Sequence, residues 1–219
     1  MILCDTSPVA AGQSDRRYAH GVLPSPAELL DRLRHGRSRA GELARLRVRF
    51  RAVSVLDHGG SQATRLAVEL RELRERTCLA LRHATSCARC ARGHQMPAGR
   101  WEGGHCCGGQ TLELFSQDEL AALWLAGTRL RHLTPPATDH AGCAFRGSTG
   151  CSLAPRHRPT ICVRYVCLEL RQELREGGDW PTVAPLAQRM NRLFGELSAL
   201  RKADDWLPPS GSGSLFRPG

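Results

Sequence analysis

Eight of the ten cysteines in this 219-residue chain fall between residues 87 and 167: Cys87, Cys90, Cys106, Cys107, Cys143, Cys151, Cys162 and Cys167. Thiols gathered this way are either oxidised to disulfides or ionised onto a metal, and both states dictate where the intervening loops must run. A chain of this length can bury one sizeable core and does not need covalent staples to fold. The N-terminal stretch has no basic start followed by an apolar run, and no later segment is long and apolar enough to span a bilayer. The expectation is therefore a cytoplasmic protein without membrane contact, in which a reducing environment favours metal ligation over disulfides.

The spacing supports that choice. A turn of the length of Cys87-x2-Cys90 brings two sulfurs to one tetrahedral ion, at about 2.3 Å for zinc. Adjacent side chains such as those of Cys106 and Cys107 diverge, so this pair either serves two metals or supplies a single ligand. Cys162 and Cys167, on one regular helix starting at Pro159, would point about 140° apart and face different centres. Eight thiolates suffice for two four-sulfur sites, which suits zinc or an iron–sulfur cluster alike. The glycines around Cys106 and Cys107 would let backbone N–H groups approach the sulfurs. His94, His105, His140 and His157 lie near the cysteines and could each replace a thiolate, His105 foremost because it abuts Cys106. Cys4 reads as an exposed thiol and Cys78 as a small core residue.

The formal charge is +10, and of the 31 basic residues only Lys202 is a lysine. Basic surfaces bind nucleic acid or acidic partners. Here the arginines are spread along the whole chain, and ionised thiolates would reduce the surplus, so a dedicated nucleic-acid role is the less favoured reading.

The apolar pattern predicts a mainly helical fold, with helices surrounding an irregular cysteine-rich metal-binding domain and little β structure. Residues 1–24 read as a loose N-terminal arm. Residues 25–83 form an N-terminal helical region, opened by Ser25-Pro26 with a first short helix ending at Gly36. Residues 41–57 are ambiguous: the run from Arg45 to Arg51 alternates as a strand would, yet Leu43, Leu46, Phe50 and Val53 also share one helical stripe, and helix is preferred. Ser61 is expected to cap a helix over 62–83 with Leu66, Leu70, Leu73, Thr77 and Ala80 as its seam and Glu72–Arg76 as an ion pair. The metal-binding domain spans 84–178. Within it, Leu112–Phe115 reads as a short strand and Ser116 to Glu119 as a capping box, starting a helix with Leu120, Leu123, Trp124, Gly127 and Leu130 inward. One helix then runs from Pro159 to Glu176. A C-terminal helix occupies 179–206, its Leu186, Met190, Leu193, Leu197 and Leu200 packing within the molecule, and 207–219 form a flexible tail.

Taken together, Cys87-x2-Cys90, Cys106-Cys107, the capped helix, Cys143, Cys151 and Arg158-Pro159-x2-Cys162-x2-Tyr165-x-Cys167 resemble the YkgJ-like cysteine-cluster proteins, described as a zinc- or iron-chelating domain. The likeness covers residues 84–170. Fifteen residues separate Cys90 from Cys106, where that family has only a few. The resemblance extends to flagellin lysine methylases, which carry a related cluster, and suggests as an alternative an iron–sulfur redox or methyl-transfer enzyme with Cys106 or Cys107 labile; a zinc-organised nucleic-acid-binding protein is a third reading, independent of the resemblance. No nucleophile elbow, phosphate-loop lysine or His-Glu-x2-His helix is present, so the residues name metal binding without naming a reaction. The metal ion is the partner they imply; no protein partner is indicated.

Overall fold

A computed structural model describes residues 39–56, 60–86, 111–136, 142–147 and 150–206. The expected N-terminal arm, the first short helix, the tail, and Cys4, Cys87, Cys90, Cys106 and Cys107 lie outside the described residues.

The ambiguous arginine-rich stretch is helix α1, Arg39–Leu56. Its Leu46, Phe50 and Val53 are buried, as the helical stripe requires and alternation would not allow. Helix α2, Ser61–Ala80, starts one residue earlier than Ser61 would set it as a cap: Gly60 is the N-cap and provides no side-chain bond. Its buried face is Ala63, Ala67, Leu70, Leu73, Arg74, Thr77 and Cys78. Leu66 and Ala80 are only half-buried, so the seam is rotated toward the small residues, which admit a close neighbour. That neighbour is α7; in place of the expected Glu72–Arg76 pair, Glu69 accepts the Arg189 Nε of α7 at 2.7 Å and Glu75 pairs with Arg156 at 3.1 Å.

Two expectations fail in the middle of the chain. The predicted strand at Leu112–Phe115 is a single helical turn, α3, Thr111–Leu114, closed by Phe115 N–H on the Thr111 carbonyl at 3.0 Å. Helix α4, Gln117–Leu125, begins at Ser116 as expected, the serine oxygen accepting Glu119 N–H, but it stops at Ala126. Gly127 turns to φ +91° and Thr128 N–H bonds the Leu123 carbonyl at 2.8 Å, so Gly127 and Leu130 leave the helical face. Leu130–His132 is a 3-10 turn. A short antiparallel ladder follows, β1 (Arg146–Gly147) with β2 (Gly150–Cys151), pairing Arg146 with Cys151. A second 3-10 turn spans Pro155–His157.

The single helix expected from Pro159 to Glu176 is two. Helix α5, Thr160–Arg164, ends where Tyr165 turns extended; α6, Leu168–Glu176, restarts with Cys167 as N-cap and closes at Gly177 and Gly178. Tyr165-Val166 at the break are aromatic and β-branched, types that give up χ1 freedom in a helix. Helix α7, Trp180–Trp206, is the C-terminal helix and packs inside the molecule, with Val183, Met190, Leu193 and Leu197 buried.

Two apolar clusters hold these elements. One joins α2, α6 and α7; the other joins α1, α3 and the 143–153 turn and ladder. Helix α4 stands between them, with Ala122 and Ala126 in the first and Leu120, Ala121 and Leu123 in the second. Residues 120–123 are wholly inaccessible. The described fold is mainly helical, and none of its helices is long and apolar enough to cross a membrane.

Candidate metal centre

The described cysteines divide between the clusters. Cys143, Cys151 and Cys162 border the cluster around α1 and α3, whereas Cys167 and Cys78 belong to the one around α2. Cys143 opens a turn closed by Arg146 N–H on its carbonyl at 2.8 Å. Cys151 ends β2, Cys162 sits in the first turns of α5, and Cys167 accepts Leu170 N–H on sulfur at 3.5 Å. The break between α5 and α6 therefore replaces the angular argument drawn from one regular helix. Among the described residues no three His, Cys, Asp or Glu side chains converge as a complete metal site requires. A centre using Cys143, Cys151, Cys162 or Cys167 needs donors from outside the described residues, where Cys87, Cys90, Cys106, Cys107, His94, His105 and His140 all lie.

What the described residues share is how the cysteine-bearing backbone is held. Three carboxylates from three helices each grip a serine or threonine close to a cysteine in sequence. On α1, Glu42 Oε2 accepts the Thr111 hydroxyl at 2.6 Å and its N–H at 3.3 Å. The same Thr111 oxygen accepts Ala144 N–H at 2.9 Å and touches Cys143 Sγ at 3.9 Å. On α4, Glu119 accepts Thr160 N–H at 2.7 Å and Ile161 N–H at 3.0 Å, capping α5 two residues before Cys162. On α6, Glu173 accepts the N–H and hydroxyl of Thr85, at 2.6 and 2.8 Å, and both the N–H (2.9 Å) and hydroxyl of Ser86, the residue before Cys87.

These clamps sit in different electrostatic settings. Glu119 is 3% exposed, and burial pushes its carboxyl above the ordinary range while the Thr160 and Ile161 amides and Arg74 pull it back. Arg74 is fully buried beside it; burial lowers its guanidinium to about 10, with Glu119 working against the fall. Its Nη1 and Nη2 donate to Thr160 Oγ1 and the Arg156 carbonyl, both at 3.3 Å. For Glu173 burial also acts upward, but the four bonds from Ser86 and Thr85 outweigh it and hold the carboxyl down at about 2.

The arginine of the Arg158-Pro159 box is buried, its Nε on the Leu153 carbonyl at 2.8 Å and its Nη1 3.6 Å from Cys78 Sγ. Cys78 is thus the core residue expected, 3% exposed, but with a cationic neighbour. Pro159 is the N-cap of α5, not its first residue. His157 stacks on His132, centroids 4.3 Å apart, with Nδ1 3.0 Å from Thr128 Oγ1. Burial first, then His132 and Arg156, lower His157 to about 4, so it is a neutral imidazole at physiological pH.

The sequence marks Glu119 only as part of a local capping box, and gives Glu42 and Glu173 no role. The one available signal was a hydroxyl residue near each cysteine: Thr85-Ser86 before Cys87, Thr111 after Cys107 and Thr160 before Cys162. Comparison with family models, curated proteins and solved structures returns no match to this chain.

Proposed function

We propose that this chain is a cysteine-cluster metal-binding protein holding zinc or an iron–sulfur centre on thiolates drawn from Cys87, Cys90, Cys106, Cys107, Cys143, Cys151, Cys162 and Cys167. The observation that carries this reading is the set of carboxylate clamps. Segment 87–110 carries four of the cysteines, and both its flanks are tied down: Ser86 to α6, whose N-cap is Cys167, and Thr111 against Cys143. A chain advances at most about 3.6 Å per residue, so Cys107 lies within about 14 Å of Thr111, and Cys87 within about 4 Å of Ser86 along the backbone. These anchors limit how far the 87–110 segment can stray from Cys143 at one end and from α6 at the other, which supports ligation shared between early and late cysteines.

Bound metal would supply the cross-link between those loops, and thiolate ligation would couple its affinity to folding and to pH. The protein's own contribution is orientation. Cys167 Sγ, at the start of α6, already accepts an amide N–H, the kind of donor that stabilises sulfur as an anion.

The test is elemental analysis and visible absorption of protein made and handled without oxygen. Near-stoichiometric zinc without colour, or iron and sulfide with charge-transfer bands, supports the reading and chooses between the metals. Cys143→Ser or Cys162→Ser should lose metal, whereas Cys78→Ala should keep it while costing about 1 kcal/mol of stability through its buried contact with Arg158. Metal-free folded protein with its central thiols bridged in pairs overturns it.

A further inference from the structure

Helix α1 turns toward solvent an arc that is small and apolar along its middle and cationic along both edges. At about 100° per residue, Ala44, Val48 and Ala52 fall on one line, with Arg45 and Arg49 about 80° to one side and Arg47 and Arg51 about 80° to the other. All seven side chains are exposed, Val48 to 63%. The helix contains one acid, Glu42, and that carboxylate is buried on Thr111. None of the four arginines joins a described ion pair; Arg49 donates to the Leu112 carbonyl at 3.2 Å, and the guanidinium groups of Arg45, Arg47 and Arg51 have no described polar partner.

A flat anionic surface or an acidic peptide would meet such a helix from one side and engage the middle of the arc, where there is no charge. Two cationic rows on opposite flanks fit two parallel lines of negative charge about one helix diameter apart. The major groove of B-DNA is such a partner: about 12 Å wide, it admits a helix about 10–12 Å across, with phosphates along both walls. The uncharged middle would face base edges, where small apolar side chains meet thymine methyl groups. The major groove of duplex RNA is too deep and narrow for this. We propose that α1 binds double-stranded DNA from the major groove, Arg45 and Arg49 on one phosphate backbone, Arg47 and Arg51 on the other, and Ala44, Val48 and Ala52 inward.

The experiment is fluorescence anisotropy of full-length protein with a labelled mixed-sequence DNA duplex over a series of salt concentrations. Arg45→Ala/Arg49→Ala and Arg47→Ala/Arg51→Ala should each weaken binding at least about tenfold and flatten the slope of log K against log salt by about two. Arg65→Ala/Arg192→Ala, which removes the same charge from exposed positions on α2 and α7, should change affinity less than about twofold. Val48→Glu should abolish binding with an unchanged melting temperature. Absence of duplex binding, a loss that the Arg65/Arg192 pair reproduces, or sensitivity to only one of the two rows would overturn the proposal. So would equally tight binding of duplex RNA or poly-glutamate through the same residues.

Discussion

Glu119 and Glu173 do one task in two surroundings. Each is a helix-borne carboxylate that reaches across the fold to take the amide hydrogens of a threonine-containing segment leading to a cysteine. One is sealed between the two clusters with Arg74; the other accepts four bonds near the surface. Their proton affinities move in opposite directions. The difference teaches that the number of donors alone does not set the charge state of a capping carboxylate: two good amide bonds and a nearby arginine do not offset full burial, whereas four bonds prevail where water still reaches.

The largest effect should come from the sealed member. Glu119→Ala leaves Arg74 as a buried cation without its anion and the first amides of α5 without an acceptor, and should cost about 3–5 kcal/mol in urea unfolding. Glu119→Gln, which keeps an acceptor oxygen, should cost about 2 kcal/mol. If both changes fall below about 0.5 kcal/mol, the surface and sealed clamps are equivalent and the contrast fails.

The next effect is read in acid. Because the folded pKa of Glu173 is depressed to about 2, its stabilising contribution is present above the ordinary glutamate value of about 4.3 and is lost as pH falls from there toward 2. For Glu119 the folded value is raised, so its contribution is greatest below the ordinary carboxylate range and declines as pH rises through the folded value. Melting curves between pH 2 and 5 should therefore be steeper in wild type than in Glu173→Gln, with a neutral-pH cost for that variant of about 1 kcal/mol after allowance for solvent screening. An unaltered acid slope would show that the four bonds do not persist in solution.

The smallest effect tests a helix start with no side-chain clamp. Gly60 N-caps α2 bare, and a Cβ there would meet nothing within 4 Å. Gly60→Ser should stabilise the protein by about 0.3 kcal/mol, seen as a slight rise in melting temperature.

Much of the fold was legible in the residues. The stripe Leu46, Phe50, Val53 overrode strand-like alternation because one-sided burial needs helical spacing, and Ser116 marked the start of α4 correctly. The failures are local patterns overruled from a distance. Leu112–Phe115 reads as a strand until the hydroxyl of Thr111 is seen to be held by a carboxylate 69 positions away. Glu119 reads as the reciprocal half of a capping box, but its side chain leaves Ser116 and caps α5 across 41 positions. The helix from Pro159 to Glu176 splits because Cys167 begins a helix of its own. In the candidate site, the cysteines announced themselves by type and spacing. The acids that hold their backbones did not, since nothing local separates them from solvated glutamates such as Glu72.

The enclosure of α4 has a consequence for how this protein can change over generations. Ala121 and Ala122, about 100° apart around the helix, are both wholly inaccessible and belong to different clusters. Neither position can gain volume unless a neighbour in its own cluster gives some up, and a displaced helix would pass the demand to the other cluster. Substitutions in the two halves of the molecule should therefore be accepted in compensating sets.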